Sequence, residues 1–280
     1  MNPYWLLDEH MLSISERGAD IIDAINTCGS PYFITEYQRF KIPNIPSELT
    51  DITSSSMRPG IGYGSIQFVE KLVSANTNLV PGSYYSTEDY KVSEYLTRMN
   101  PRHYLNHNGF LLPYKILKDN YIQYSEFLKD NKLFIRPNTG KKIFTGCVID
   151  VNDPMDFVRL ENSSAIMDNT LVWVSNAKTI SEEYRYIIVN REIVGCSQYH
   201  KDGEIHIMEG DNYVARKLAE RVAQDSPDNH TTFVCDIGLW HNEPYVVELN
   251  CINTSAWYCA DVYNVVDKLN HEMIREFSDY

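Results

Sequence analysis

The stretch VVELNCINTS, Val246 to Ser255, reads as an apolar strand interrupted by a carboxylate and a carboxamide two residues apart. Side chains alternate faces along a strand, so Glu248 and Asn250 share one face while Val247 and Leu249 fill the other. A buried acid is costly unless it is paired or bound to a cation, so the strand requires a partner. The preceding run, FVCDIG, is interrupted in the same way by Asp236. If the two runs form a hairpin, Asp236 and Glu248 share a face only when the connecting loop has an odd residue count or the hairpin carries a bulge, and Trp240 to Glu243 can supply that loop. Asp236, Glu248 and Asn250 then offer three hard oxygen donors on one surface, the ligand type that Mg²⁺ accepts while keeping waters and substrate phosphates. A polar sheet face tied by salt links is the alternative.

The rest of the chain frames that strand. Its 280 residues, 43% hydrophobic and 22% charged, suit a soluble protein of two lobes. No apolar run approaches the roughly 20 residues that span a bilayer. The start, MNPYWLLDEH, lacks the basic and long apolar regions of a signal peptide, so a cytoplasmic location is expected. Six cysteines are scattered without a CxxC pair, as in reduced, partly buried thiols. His103 and His107 stand four apart with no third ligand evident, and solvated or structural roles suit them better than metal binding. A net charge of −13 argues against a broad nucleic-acid footprint.

The first third reads as an α/β unit. LSISERGADIIDAINTCG carries the capping box Ser13-x-x-Glu16 and a stop at Gly29, and PYFITEY is strand-like. Pro, Ser and Gly dominate from Ile42 to Gly64, so this is expected to be loop, ending in Gly60, Gly62 and Gly64 before an amphipathic helix from Ser65. The glycine spacing fits neither a dinucleotide nor a P-loop fingerprint. From Lys132 short strands take over: LFIRP, KIFTGCVID, NTLVWVS, EYRYIIVN and REIVGCSQY predict an antiparallel sheet from about Leu133 to Tyr199. DNYVARKLAERVAQ predicts a helix that Asp211 can cap, the strands TTFVCDIGL and PYVVELN follow, and a helix from about Asp261 closes the chain.

Two further constellations carry charge inside strands. Arg136 ends LFIRP, and Lys142 follows a turn through Asn138 and Gly140; an arginine in an apolar strand needs an anion, and phosphate is a natural one. Glu183-x-Arg185 places two charges on one face of EEYRYIIV, either as an internal salt bridge or as an arginine aimed at developing negative charge.

Taken in order, RPNTGKKIFTG (136–146), EYRYIIVNREIVGCSQY (183–199) and CDIG…VVELN (235–250) resemble the ATP-grasp superfamily. They are most similar to a clade common in bacteria and phages, over roughly residues 100 to 262. The resemblance implies an α+β fold in which two lobes clamp a nucleotide: an N-terminal α/β domain at 1–110, then an ATP-grasp domain at 111–280, with lobes at about 111–172 and 173–280. It implies ATP and Mg²⁺ as cofactors. Arg136 stands where most ATP-grasp enzymes have a phosphate-binding lysine, Lys142 matches the clade's second cation, and Arg185 matches the arginine at the reacting phosphate. Glu183 falls among the nucleotide-binding positions, and Val172, Trp173, Val174 and Ser175 look like the hinge whose backbone recognises adenine. Asp236, Glu248 and Asn250 match the metal positions. The implied activity is an ADP-forming carboxylate–amine ligase acting through an acyl phosphate on an amino acid, peptide or protein. The alternatives are a phosphotransferase at the same site and a non-catalytic nucleotide-binding protein.

Overall fold

The computed structural model describes residues 2–14, 17–35, 45–50, 53 and 56–280. Three sheets follow one another along the chain. The first comprises β1 (Tyr4–Asp8), β2 (Tyr32–Thr35), β3 (Arg58–Tyr63) and β4 (Leu79–Gly82), in the order β2-β1-β3-β4 with parallel pairing throughout. Its helices are α1 (Glu9–Ile14), α2 (Gly18–Thr27) and α3 (Ile66–Ala75). The Ser65 hydroxyl caps α3 by accepting from the Phe68 amide. Ser13 is not a cap: it lies inside α1 with its hydroxyl on the His10 carbonyl, and Glu16 is outside the described residues.

Arg58–Tyr63, expected as loop, is a central strand buried nearly throughout. Its glycines belong to packing. A Cβ at Gly60 would lie 2.6 Å from the Tyr4 carbonyl oxygen and 2.7 Å from Leu79 Cδ2, and one at Gly62 would lie 2.3 Å from Leu72 Cδ1. Composition alone marks such a segment as a turn, whereas here small residues let neighbouring strands and a helix approach closely. The Gly64 amide is already bonded to the Asn253 carbonyl at 2.9 Å, so the cluster is not a free phosphate cradle. Gly60→Ala is expected to destabilise the fold by about 1–3 kcal/mol, read from urea unfolding; an unchanged midpoint would contradict the packing account.

The second sheet comprises β5 (Phe110–Pro113), β6 (Lys132–Pro137), β7 (Cys147–Asp150) and β8 (Leu171–Asn176), antiparallel in the order β5-β8-β6-β7. The helices α5 (Tyr114–Leu128) and α6 (Met155–Ser163) accompany it, and the short α4 (Val92–Tyr95) precedes it. Leu117, Leu133, Ile135, Phe157, Val172 and Val174 form its core.

The third sheet contains β9 (Glu182–Val189), β10 (Glu192–Lys201), β11 (Glu204–Met208), β12 (Phe233–Trp240) and β13 (Glu243–Asn250), in the order β11-β10-β9-β12-β13. The single antiparallel sheet expected from Leu133 to Tyr199 is thus two sheets. The chain leaves one after Asn176 and enters the other at Glu182, so a lobe boundary at 172/173 would fall within β8.

One face of the third sheet packs Tyr186, Cys235 and Leu249 against Ala219 and Val222 of α7 (Tyr213–Asp225). Asn212, not Asp211, caps that helix through bonds from the Val214 and Ala215 amides; Asp211 instead accepts from the Tyr186 hydroxyl. The opposite face packs Ile187 and Val234 against Val265 and Val266 of α8 (Val262–Asp279), in a core continuous with Trp5 and Leu7 of the first sheet. The N-terminal unit is thereby fixed to the third sheet. The six cysteines are free thiols, and no helix among the described residues is long and apolar enough to cross a membrane.

Candidate active site

The hairpin of β12 and β13 turns through His241 and Asn242, whose φ values of 54° and 62° match the left-handed residues of a tight two-residue connection. Continuing that register would set Asp236 opposite Val247. A bulge between Asp236 and Ile237 steps it by one residue, so Asp236 opposes Glu248 and Val234 opposes Asn250. Of the two routes to a shared face, an odd loop or a bulge, the molecule uses the bulge.

On the other side of β12, β9 sets Arg185 opposite Asp236. Arg185, Asp236 and Glu248 therefore form a row across three strands. Arg185 Nε and Nη2 donate to the two Asp236 carboxylate oxygens at 2.8 Å each, and Nη1 donates to the Ala256 carbonyl at 3.0 Å. Three of the five guanidinium N–H groups are used, leaving two for an anion. Its plane also lies over Tyr258, 4.8 Å from the ring centroid. Asn250 Nδ2 donates to Asp236 at 3.2 Å.

Arg136 reaches this row from β6 in the other lobe. Its Nη2 donates to Glu248 Oε2 at 2.8 Å, and Nη1 donates at 3.0 Å to the carbonyl of Val247, the residue displaced by the bulge. Burial pushes the Glu248 carboxyl up, but Arg136 and Lys142 outweigh it and hold it down at about 2. Burial also pushes Asp236 up, and Arg185 works against that shift.

The cleft between the lobes is lined by Arg136, Gly140, Lys142, Thr145, Glu248 and Asn250. Asp236 is fully buried behind them. The loop after β6 is anchored at several points. Asn138 exchanges hydrogen bonds with Ser93 at 3.0 Å, the Gly140 amide donates to the Thr87 carbonyl at 3.2 Å, and Lys141 pairs with Glu70 at 2.9 Å. Lys141 and Lys142 both line the cleft, and of the two Lys141 has its ammonium held by Glu70.

A divalent cation can be tested against this donor set. Glu248 and Asn250 offer oxygens at the cleft wall, whereas both Asp236 oxygens are already committed to Arg185 and Asn250. Among the described residues no three His, Cys, Asp or Glu side chains are grouped to hold a metal. The set fits a hard cation that takes one or two protein oxygens and completes its shell with phosphate and water, as Mg²⁺ does.

Glu183 does not pair with Arg185. It accepts from the Tyr199 hydroxyl at 2.5 Å, with His200 Nδ1 at 3.6 Å, and burial raises its carboxyl above the ordinary range. Val172, Trp173 and Val174 lie within β8, paired with β5 on one side and β6 on the other, and their side chains fill the cores. Their backbones are engaged by the sheet. Ser175 stands one residue past the β5 pairing and is held by Asn106 at 2.9 Å. From Ser175 onward β8 has lost its β5 neighbour and keeps only the β6 pairing, whereas Val172 to Val174 are paired on both sides.

Sequence reasoning missed Lys178, which stands in the link between β8 and β9. Its ammonium bonds Asn106 Oδ1 at 3.1 Å and Asn108 Oδ1 at 3.2 Å, and burial lowers its pKa to about 8. The two asparagines lie about seventy residues upstream, so no local pattern connects them to it.

Three observations now coincide: two antiparallel sheets facing each other, cations from one lobe set against carboxylates from the other, and a Glu-x-Asn strand end at the cleft. Residues 115–268 match the family model of an ATP-grasp domain, the second family of its clade. The chain belongs to the ATP-grasp family. Its fold is the ATP-grasp fold, of mixed α+β type. Solved structures agree over nearly the whole length. D-cycloserine synthetase DcsG superposes with a TM-score of 0.64 at 9% identity, covering 96% of this chain and 99% of the other. A RimK domain ATP-grasp protein from Sphaerobacter thermophilus gives 0.60 at 13% identity, covering 98% of each. A D-alanine–D-alanine ligase from Bacillus anthracis, complexed with ATP, gives 0.62 at 10% identity and covers 100% of each. At these identities the likeness is one of fold. No curated protein matches the sequence.

Proposed function

We propose that this ATP-grasp protein is an ADP-forming, Mg²⁺-dependent carboxylate–amine ligase, with an amino acid, peptide or protein as substrate. The observation that carries the reading is the Arg136–Glu248 ion pair across the cleft at 2.8 Å. A phosphate-binding cation and a metal-binding carboxylate are held against each other, ready to exchange partners. When Mg²⁺-ATP enters, Arg136 turns to a phosphate and Glu248 to the metal, so neither buried charge is left uncompensated.

Glu248 and Asn250 would hold the cation, which would neutralise charge on the triphosphate. Asp236 anchors Arg185 and Asn250 from behind. Lys142 joins Arg136 on the phosphates, and Ser175 with the link after it receives the base. Glu183, on the β9 face of Arg185, is assigned to the nucleotide site. In the first half-reaction a substrate carboxylate oxygen attacks the γ-phosphorus and ADP leaves. In the second, an amine attacks the acyl carbon, the C–O bond to phosphate breaks, and the amine loses a proton. In this reading Arg185 stabilises the charge on the transferred phosphoryl, through the two N–H groups not bonded to Asp236 or Ala256. The names of the structural neighbours, a synthetase and a ligase among them, favour bond formation over phosphotransfer.

Mg²⁺-ATP at a hundredfold excess over its dissociation constant is expected to stabilise the folded chain by about 2.7 kcal/mol, read as a rise in thermal midpoint. Incubation with amino-acid and peptide pools should then give ADP, free phosphate and a product lighter than its components by one water. A stable phosphorylated product would replace the ligase reading with a phosphotransferase. Absence of binding with Mg²⁺ present would overturn the site itself.

A further inference from the structure

Three buried polar atoms grouped around Arg136 have no hydrogen-bond partner of good geometry among the described residues: Arg136 Nε and the phenol oxygens of Tyr95 and Tyr104. Both tyrosines are fully buried. Their rings meet edge to face with centroids 5.7 Å apart, and Tyr104 meets Trp173 of β8 in the same way at 6.2 Å. They come from separate segments. Tyr95 ends α4, while Tyr104 is bridged to Val246, one residue before the displaced Val247. Burial works against the Arg136 charge, and the neutral Tyr104 phenol lies within hydrogen-bonding reach of the guanidinium.

The rings pack in an apolar cluster where phenylalanine would fill the same space without stranding a hydroxyl. A buried hydroxyl with no partner weighs against the ligand-free fold, so these two have a use in some other state of the arginine. Nη1 and Nη2 each spend one N–H on Val247 and Glu248, and Nε is the guanidinium nitrogen that no acceptor of good geometry engages. Drawing the guanidinium from Glu248 toward an anion reorients all its N–H groups together, because the fork is rigid.

Resting on the nucleotide-site reading above, we infer that Tyr95 and Tyr104 are positioning residues for Arg136, their phenol oxygens accepting Nε–H when the guanidinium turns from Glu248 to a phosphate. They touch no substrate. They set the angle at which the arginine presents its outer N–H groups.

The test uses Tyr95→Phe and Tyr104→Phe, singly and together, in the full-length protein and again in the Arg136→Lys background, since lysine has no counterpart of Nε. Thermal midpoint without ligand and the dissociation constant of Mg²⁺-ATP are measured on each. The expected result is an unchanged or raised ligand-free midpoint, a roughly tenfold weaker Mg²⁺-ATP affinity in the double variant, and no added loss in the Arg136→Lys background. Unchanged affinity in the phenylalanine variants, an equal loss in both backgrounds, or a ligand-free midpoint that falls sharply would each overturn the inference. Failure of the unaltered protein to bind Mg²⁺-ATP would instead remove the nucleotide-site reading, and this inference with it.

Discussion

Glu248→Gln is expected to lower ATP turnover by about three orders of magnitude while the protein stays folded, on the scale that loss of a preorganised charge-stabilising group produces. The amide keeps the side chain's shape, its place on β13 and one acceptor for Arg136, but it removes the negative charge that a divalent cation requires. The change also weakens the Arg136 contact across the cleft, so about 1–3 kcal/mol of stability should be lost with it. The stability loss follows from the bond between Arg136 Nη2 and Glu248 Oε2, and the turnover loss from the missing charge. Their sizes separate the two roles. Turnover per folded molecule near that of the unaltered protein, alongside a lowered melting temperature, would reduce Glu248 to a structural partner and withdraw it from the site. Partial recovery of turnover at high Mg²⁺ would support the metal-binding role.

Arg185→Ala should have the largest effect on stability, about 3–5 kcal/mol. Asp236 is fully buried, and both its oxygens depend on Arg185 at 2.8 Å, so removing the arginine strands a carboxylate in the interior. The Ala256 contact and the packing on Tyr258 go with it. The double change Arg185→Met with Asp236→Leu should recover much of that loss, because breaking a buried pair costs more than replacing it by apolar groups. It should not recover activity, since the guanidinium proposed to meet the phosphoryl group is gone. Chemical denaturation of the two variants side by side checks the first part, and ATP turnover checks the second. A single variant as stable as the unaltered protein would contradict the account of the ion pair.

Asn250 and Glu248 share a face for any strand of alternating side chains, so their convergence was legible from VVELN alone. The same holds for α8, whose inward positions Val262, Val265, Val266, Leu269 and Met273 are all buried. The strand at Arg58–Tyr63 was not legible, because its proline and glycines have turn composition and only the approach of Tyr4, Leu72 and Leu79 shows why small residues sit there. Nor was the division into two sheets: β8 and β9 have equally strand-like compositions, and local propensity does not say which strand a segment pairs with. The hinge reading of Val172 to Val174 failed on the same ground, since apolar residues in a strand look alike whether one or both edges are paired.

By itself, the sequence determined which residues carry charge into apolar strands, and in what order along the chain: Arg136, Glu183, Arg185, Asp236 and Glu248, with the uncharged amide of Asn250 beside the last. Burying a charge is costly enough that each such position implies a partner or a ligand. The partners were left to the tertiary structure. Arg185 could have paired with Glu183 two residues away, yet the register of β9 against β12 gives it Asp236 instead. The bulge after Asp236 turns that carboxylate toward Glu248, and β6 brings Arg136 from the other lobe to the carbonyl that the bulge displaces. Local sequence sets a side chain's chemistry and its face; sheet register and lobe packing, which bring together residues as far apart as Arg136 and Glu248, 112 positions along the chain, set what it meets.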